Sequence, residues 1–285
     1  MKHLLGAHVS VAGGLDKAFA RAIESGCTAL QIFTKNANRW HVKPISAIEA
    51  TAFRQAWHES GIGPVVAHDA YLINLASPKS DVWEKSKNAL RDELCRCAQL
   101  GVTDLVMHPG AHLGTGIAIG LERIRTALRE VFQESPQQVR LLLENTAGQG
   151  SYLGGDFSHL AALLEGFDKQ RCAVCLDTCH AHAAGYDLST AEGYAQTMAE
   201  FDRLVGLEQI KVFHLNDSLK PCGSKVDRHA HIGGGTIGRA GFACLMQDQR
   251  FVEIPMILET PKGDQDEMDV INLTLLRELA TETTS

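Results

Sequence analysis

The chain reads as an α/β protein, a single (β/α)8 TIM barrel over residues 1–285. Three observations predict it. Eight apolar segments rich in Val, Ile and Leu recur roughly every 25 to 45 residues, and amphipathic helical patterns lie between them. The apolar runs are near-continuous rather than alternating, as in a parallel sheet covered on both faces. At 285 residues the chain is long for two small domains and ordinary for one barrel. An open doubly wound sheet is the alternative. It usually has about five to seven strands and a glycine-rich turn after the first. No linker, low-complexity tract or change in composition divides it.

In chain order, strands are placed at 4–9, 29–34, 64–68, 104–108, 140–145, 172–177, 210–215 and 254–259. Between the second and third, Ser46-Ala-Ile-Glu49 is a capping box, in which the Ser oxygen takes the amide of Glu49 and the Glu returns to the cap. The helix it opens can end at Gly61. After the third strand, residues 86–100 place Leu90, Leu94, Cys97 and Leu100 on one helical face, with Gly101 as the C-cap. After the fourth, residues 117–132 repeat Ile117, Leu121, Ile124, Leu128 and Val131 in the same way. The polar stretch 216–237 reads as the longest loop, and loops of that size often carry function. The last residues, 281–285, read as frayed.

Six of the apolar runs stop on a metal-capable residue. VVAHDA at 65–70 ends on His68 and LVMHPG at 105–110 on His108. LLLENT at 141–146 ends on Glu144, and VCLDTCH at 174–180 carries Asp177 and His180. VFHLND at 212–217 ends on His214 and MILET at 256–260 on Glu259. VDRH at 226–229 adds Asp227 and His229 from the long loop. In a barrel, residues at the C-terminal strand ends converge on one spot. Burying so many charged groups there without cations would be costly. Imidazole and carboxylate without thiolate suit catalytic zinc, manganese or iron better than a closed structural zinc. Nine ligands are too many for one ion. At about three protein ligands per ion they fit three, with one bridging carboxylate. Glu144, in the middle of the set, is the bridge candidate. Asp177 and His180 are placed to serve neighbouring ions, and Asp227-x-His229 is a two-ligand clip on one extended face.

Other histidines are assigned more modestly. His3, His41, His58 and His159 are placed on the surface. His8, His112, His182 and His231 are placed around the site or against phosphate. Residues 233–238 match G-x-G-x-x-G literally, but no strand precedes them, so a dinucleotide site is not indicated. A turn offering amides to a phosphate at a helix N-terminus is the better reading. No G-x-S-x-G occurs. Cys172 and Cys175 fit C-x-x-C within a strand, where residues three apart face opposite sides. The eight cysteines therefore read as reduced core thiols.

The formal charge is −7, from 27 basic and 34 acidic residues. Bulk charge makes such a protein a poor nucleic-acid binder. Three divalent ions would leave roughly −1 and concentrate positive charge at the site. A polyanionic substrate is therefore compatible with the composition. The N-terminus lacks the apolar core of a signal peptide, and no run approaches the roughly 18 apolar residues of a membrane span. The expected home is the cytoplasm of a bacterium, or an organelle descended from one, and the expected state is a monomer.

Clustered divalent ions generate hydroxide at neutral pH and stabilise the oxygens of a phosphoryl displacement. Phosphodiester hydrolysis is the first functional reading. A metal-dependent sugar isomerase or epimerase is the second, and Glu144, Asp177, His214 and Glu259 alone would serve it. His68, His108, His180, Asp227 and His229 would then be surplus, which favours hydrolysis. A non-catalytic metal-binding protein would leave the open coordination positions unexplained.

At these residues the chain resembles endonuclease IV, the metal-dependent endonuclease of abasic-site DNA repair. The resemblance runs from residues 6–10 to the 257–260 strand. Its most specific segments are Glu144-Asn145-Thr146-Ala147-Gly148-Gln149-Gly150, Leu176-Asp177-Thr178-Cys179-His180-Ala181, Ala184-Gly185-Tyr186-Asp187, His214-Leu215-Asn216-Asp217 and Val226-Asp227-Arg228-His229. It implies a TIM barrel of the xylose-isomerase-like kind with three Zn2+ ions, Mn2+ being an alternative in part. His68, His108 and Glu144 would hold the first ion, Glu144, Asp177, His214 and Glu259 the second, and His180, Asp227 and His229 the third. Glu144, Asp177 and Glu259 would be the catalytic carboxylates.

The resemblance further implies hydrolysis of the phosphodiester 5′ to an abasic site in duplex DNA. The products would be a 3′-hydroxyl and a 5′-deoxyribose phosphate, and blocked 3′ ends would be trimmed. Tyr71 and Leu72 match the loop that wedges into the DNA. Lys35, Asn38 and Arg39 fall in a second DNA-contacting loop, and Arg228 between two ligands is a phosphate contact. That second loop departs from the family pattern, which has Arg two residues before the Trp where this chain has Asn38. Its Arg39 is adjacent to Trp40 instead.

Overall fold

The computed structural model describes residues 3–263 and 267–282. Eight parallel strands close into a barrel: β1 (Leu5–His8), β2 (Ala29–Phe33), β3 (Val65–His68), β4 (Asp104–Met107), β5 (Arg140–Glu144), β6 (Cys172–Asp177), β7 (Ile210–His214) and, last in the chain, β10 (Met256–Leu258). Neighbours follow chain order around the ring, and β10 closes it by pairing with both β7 and β1. Every expected strand is present; β6 has the expected bounds and each of the others is trimmed by one or two residues at one or both ends. Gly6 allows β1 to approach β2, because a Cβ there would lie 1.8 Å from the carbonyl oxygen of Ala29.

Helices pack outside the strands: α1 (Lys17–Glu24), α2 (Ala47–Ser60), α3 (Ser80–Leu100), α4 (Ile117–Gln133), α5 (Phe157–Leu164), α6 (Thr178–Ala184), α7 (Ala191–Leu204), α8 (Gly238–Gln247) and α9 (Glu267–Leu279). The capping box of α2 forms with both of its hydrogen bonds, and Gly61 ends the helix in the left-handed conformation; such a cap contributes about 0.5–2 kcal/mol. Helix α3 begins six residues before the expected start at 86, and Gly101 is its C-cap. The long loop is not wholly irregular. Two short antiparallel strands, β8 (Asp217–Ser218) and β9 (His229–Ala230), pair across it. Two-residue strands carry too little periodicity to be read from sequence.

The barrel interior is filled by one small cluster of side chains: Ala29, Val66, Val106, Leu142, Ala173, Cys175, Val212 and Ile257. A larger apolar cluster lies between the strands and helices. Cys172 belongs to the outer cluster and Cys175 to the inner one, so the two thiols face opposite sides of β6. The eight cysteines are free. No described helix is long and apolar enough to cross a membrane. Thr281 and Glu282 donate backbone hydrogen bonds to Glu278, while residues 283–285 of the expected frayed end lie outside the described residues.

Candidate metal centre

The interior cluster places the ligands by a simple rule. Strand side chains alternate faces, so the residue two beyond an interior one also points inward. Val66 leads to His68, Val106 to His108, Leu142 to Glu144, Cys175 to Asp177, Val212 to His214 and Ile257 to Glu259. Each lies at the top of the barrel, where the apolar filling ends. His180 joins them from the first turn of α6, whose N-cap is Asp177; Asp177 Oδ1 accepts the His180 amide at 2.7 Å. The hairpin β8–β9 carries His229 inward, with Asp227 two residues before it.

Nine expected residues fall into three groups whose donor atoms lie within 4.8 Å of one another: His68, His108 and Glu144; Glu144, Asp177, His214 and Glu259; and His180, Asp227 and His229. Glu144 belongs to two groups. Its Oε2 lies 3.2 Å from His68 Nε2 and 3.0 Å from His108 Nε2, and its Oε1 lies 3.1 Å from His214 Nδ1. Asp227 lies 3.2 Å from His180 Nε2 and 3.3 Å from His229 Nε2. Four ligands on one tetrahedral ion with 2.0 Å bonds stand about 3.3 Å apart, so these spacings suit cations.

The outer ring nitrogens support the same reading. Nδ1 of His68, His180 and His229 lies 3.0–3.1 Å from the backbone carbonyls of Asp69, Asn145 and Glu259, and Nε2 of His214 lies 2.8 Å from Gln31 Oε1. A carbonyl only accepts, so each of these nitrogens carries a proton, and the other nitrogen is the one turned to the cluster, where a cation that displaced its proton would take the lone pair. His229 Nε2 is buried with no hydrogen-bond partner. Burial opposes ionisation of Glu144, but His108 and His214 outweigh it and hold its carboxyl well below the usual range. Burial likewise opposes protonation of His68, and Glu144 pushes that imidazole up to about 10. The site is therefore a buried array of carboxylates that demands positive charge. Cys179 also sits near Asp177 and His229, but burial pushes its thiol up to about 12 and makes it a poor competitor.

Three polar residues to which sequence reasoning gave no role hold the ligands. Gln31, fully buried, donates to Glu259 Oε1 at 2.6 Å and faces His214 with its carbonyl. Asn216 donates to Asp177 Oδ2 at 2.6 Å and accepts the Glu259 amide at 2.9 Å. Asn145 brackets the Asp177 backbone, accepting its amide and donating to its carbonyl. The alternation rule would have found Gln31, since it stands two beyond interior Ala29. His8 lies on the first strand 3.4 Å from Glu259 Oε1.

A cavity of about 410 Å3 opens above His68, His108, His180 and Asp227, with Tyr71 and Tyr152 among its walls. Tyr71 is 64% exposed and leans edge-on against Phe33. Leu72 is half-buried and is not among the lining residues. Asn38, Arg39 and Arg228 are exposed.

Two expectations are corrected. Lys35 is not free to meet a ligand: its side chain is 1% exposed, and Nζ lies 2.8 Å from Asp92 and 3.4 Å from Glu93 of α3. It anchors the 36–40 loop instead of contacting anything outside. The amides of residues 234–238 are also taken. Gly235 and Ile237 donate to the Asp217 carboxylate at 2.9 Å each, and Gly238 donates to it at 3.2 Å. An internal carboxylate fills the cradle that sequence assigned to a phosphate.

Residues 19–279 match the family model described as a xylose isomerase-like TIM barrel, which is the class the fold and its polar centre define. Within that class, "Probable endonuclease 4" of Trichlorobacter lovleyi is 50% identical over 281 residues, covering 98% of this chain and 100% of the relative. That of Chloroflexus aurantiacus is 53% identical over 276 residues, covering 96% and 97%. The crystal structure of endonuclease IV from Thermus thermophilus superposes with a TM-score of 0.87 at 39% identity, over 98% of this chain and 99% of that one. The chain belongs to the endonuclease IV family. A D-tagatose 3-epimerase-like protein, at 19% identity and a TM-score of 0.76, shares the fold.

Proposed function

We propose that this protein is a DNA repair endonuclease that hydrolyses the phosphodiester 5′ to an abasic site in duplex DNA, leaving a 3′-hydroxyl and a 5′-deoxyribose phosphate, and that it trims blocked 3′ ends. The observation that carries the reading is the grouping of all nine residues into three donor sets, two of which share Glu144. A sugar isomerase needs only the set of Glu144, Asp177, His214 and Glu259. The other five residues extend the centre beneath the cavity, where an extended phosphodiester rather than a small sugar would lie.

Three divalent cations, zinc or in part manganese, would supply water activation and neutralise charge at the phosphate. The chain's own residues do the rest. Glu144 joins two donor sets and fixes their separation. Asn216 donates to the Asp177 carboxylate and accepts the Glu259 backbone amide, so it orients the first group and ties it to the end of the last strand. An abasic nucleotide has no base to stack, so extruding it costs less than extruding an intact one. Tyr71 at the cavity rim would fill the gap it leaves, with Leu72 as the second wedge residue, and the exposed Arg228, Asn38 and Arg39 would meet the backbone of the duplex. The overall negative charge leaves the metal face as the attractive one. The protein acts as a monomer in the bacterial cytoplasm.

The test is a duplex carrying one tetrahydrofuran abasic analogue, incubated with and without chelator. The analogue cannot undergo β-elimination, so a lyase cannot cut it. Chelator-sensitive incision on its 5′ side leaving a 3′-hydroxyl is the expected result. Failure of metal-replete protein to cut would sink the reading and favour a sugar substrate.

A further inference from the structure

We propose that His182, Asp187 and Cys222 form a separate binding site for a thiophilic divalent cation of the zinc class. Their donor atoms lie within 4.8 Å of one another. They come from three segments: His182 from α6, Asp187 from the turn after it, and Cys222 from the loop between β8 and β9. Thiolate, imidazole and carboxylate together are a set that zinc accepts readily. They differ in kind from the main centre, whose nine residues include no sulfur.

The groups are disposed for a ligand. His182 is 2% exposed and cannot turn away. Its Nδ1 faces Asp187 Oδ1 at 3.7 Å and accepts only a long bond, 3.4 Å, from the Leu188 amide. That nitrogen therefore bears a lone pair that is weakly used. Asp187 Oδ1 is engaged by Ser189, and Asp187 has a second oxygen to offer. Cys222 is exposed, so a cation can enter from solvent. Donors on a tetrahedral zinc stand about 3.3–3.6 Å apart, and rotation of the two less buried side chains closes the difference.

The site lies across a joint. Gly223 donates to the His182 carbonyl at 3.0 Å and Lys225 to the Ala183 carbonyl at 2.8 Å, fastening the loop to α6. The same helix supplies His180 and the same loop supplies Asp227. A cation at His182, Asp187 and Cys222 would staple these two segments together and hold the His180–Asp227 pair in place. This consequence rests on the reading of those two as metal ligands; the site itself does not.

The whole chain, stripped of metal and titrated with cobalt(II), tests it. A sulfur-to-cobalt charge-transfer band is expected, lost in Cys222→Ser while the visible bands of the nitrogen–oxygen centre persist. Zinc analysis should give one equivalent fewer in Cys222→Ser than in the parent. Asp187→Asn should keep the thiol but weaken cobalt binding at this site by more than about tenfold, the least that losing even an outer partner of a metal ligand costs. Absence of the sulfur band, or an unchanged band and zinc count in Cys222→Ser, would overturn the proposal. None of these readouts depends on nuclease activity.

Discussion

Gln31 donates its side-chain amide to Glu259 at 2.6 Å, a bond between the second strand and the end of the last across 228 positions of sequence. It fixes the carboxylate plane of one candidate ligand, while its carbonyl fixes the ring of another, His214. Replacing Gln31 by Ala is expected to lower metal affinity by about 10–100-fold, the usual effect of removing such a partner. Chelator competition measures it. Equal affinity in the two proteins would mean that the ligands orient themselves.

Glu144→Gln keeps the size of the side chain but removes the charge shared by two donor sets. Because losing an outer partner already costs about 10–100-fold, incision is expected to fall by more than about 100-fold, with fewer bound metal ions. Glu259→Gln should lose activity similarly. Circular dichroism should show the barrel intact in both. Near-parental turnover by either metal-replete variant would count against these carboxylates as ligands.

Tyr71 stands at the cavity rim, 64% exposed, with little to do in the fold. Tyr71→Ala should therefore leave the melting temperature unchanged and weaken binding to abasic duplex more than to undamaged duplex. Fluorescence anisotropy with the two duplexes separates the cases. An equal loss on both would remove the wedge role.

Asp217 is fully buried and accepts the amides of Ser218, Gly235, Ile237 and Gly238. Asp217→Ala would strip several buried donors of their partner at about 1–3 kcal/mol each. A large drop in stability on urea unfolding is expected. Because β8 pairs Ser218 with His229, the residual folded protein should also bind metal less well at the His180, Asp227 and His229 set. Unchanged stability would show that water satisfies those amides.

Much of the molecule was legible because its signals are local. Strand after strand ends its inward-facing run on an imidazole or carboxylate, so hydrophobic pattern and ligand position came from the same residues. What was missed depends on partners far away in the chain. Lys35 looks like a solvent cation until α3 brings Asp92 and Glu93 against it. The 233–238 turn looks like an anion cradle until Asp217 fills it.

The sequence by itself determined the eight β–α units, the α2 and α3 caps and the identity of the nine candidate ligands, because alternation and capping act over a few residues. The division of those ligands into sets was an implication of the family resemblance, and the tertiary structure supplied its distances; only the tertiary structure decided that Gln31, Asn145 and Asn216 hold them and that Cys222 meets His182 and Asp187. Those are distances between side chains set by barrel closure and by the packing of a loop on α6. No pattern along the chain encodes such distances directly.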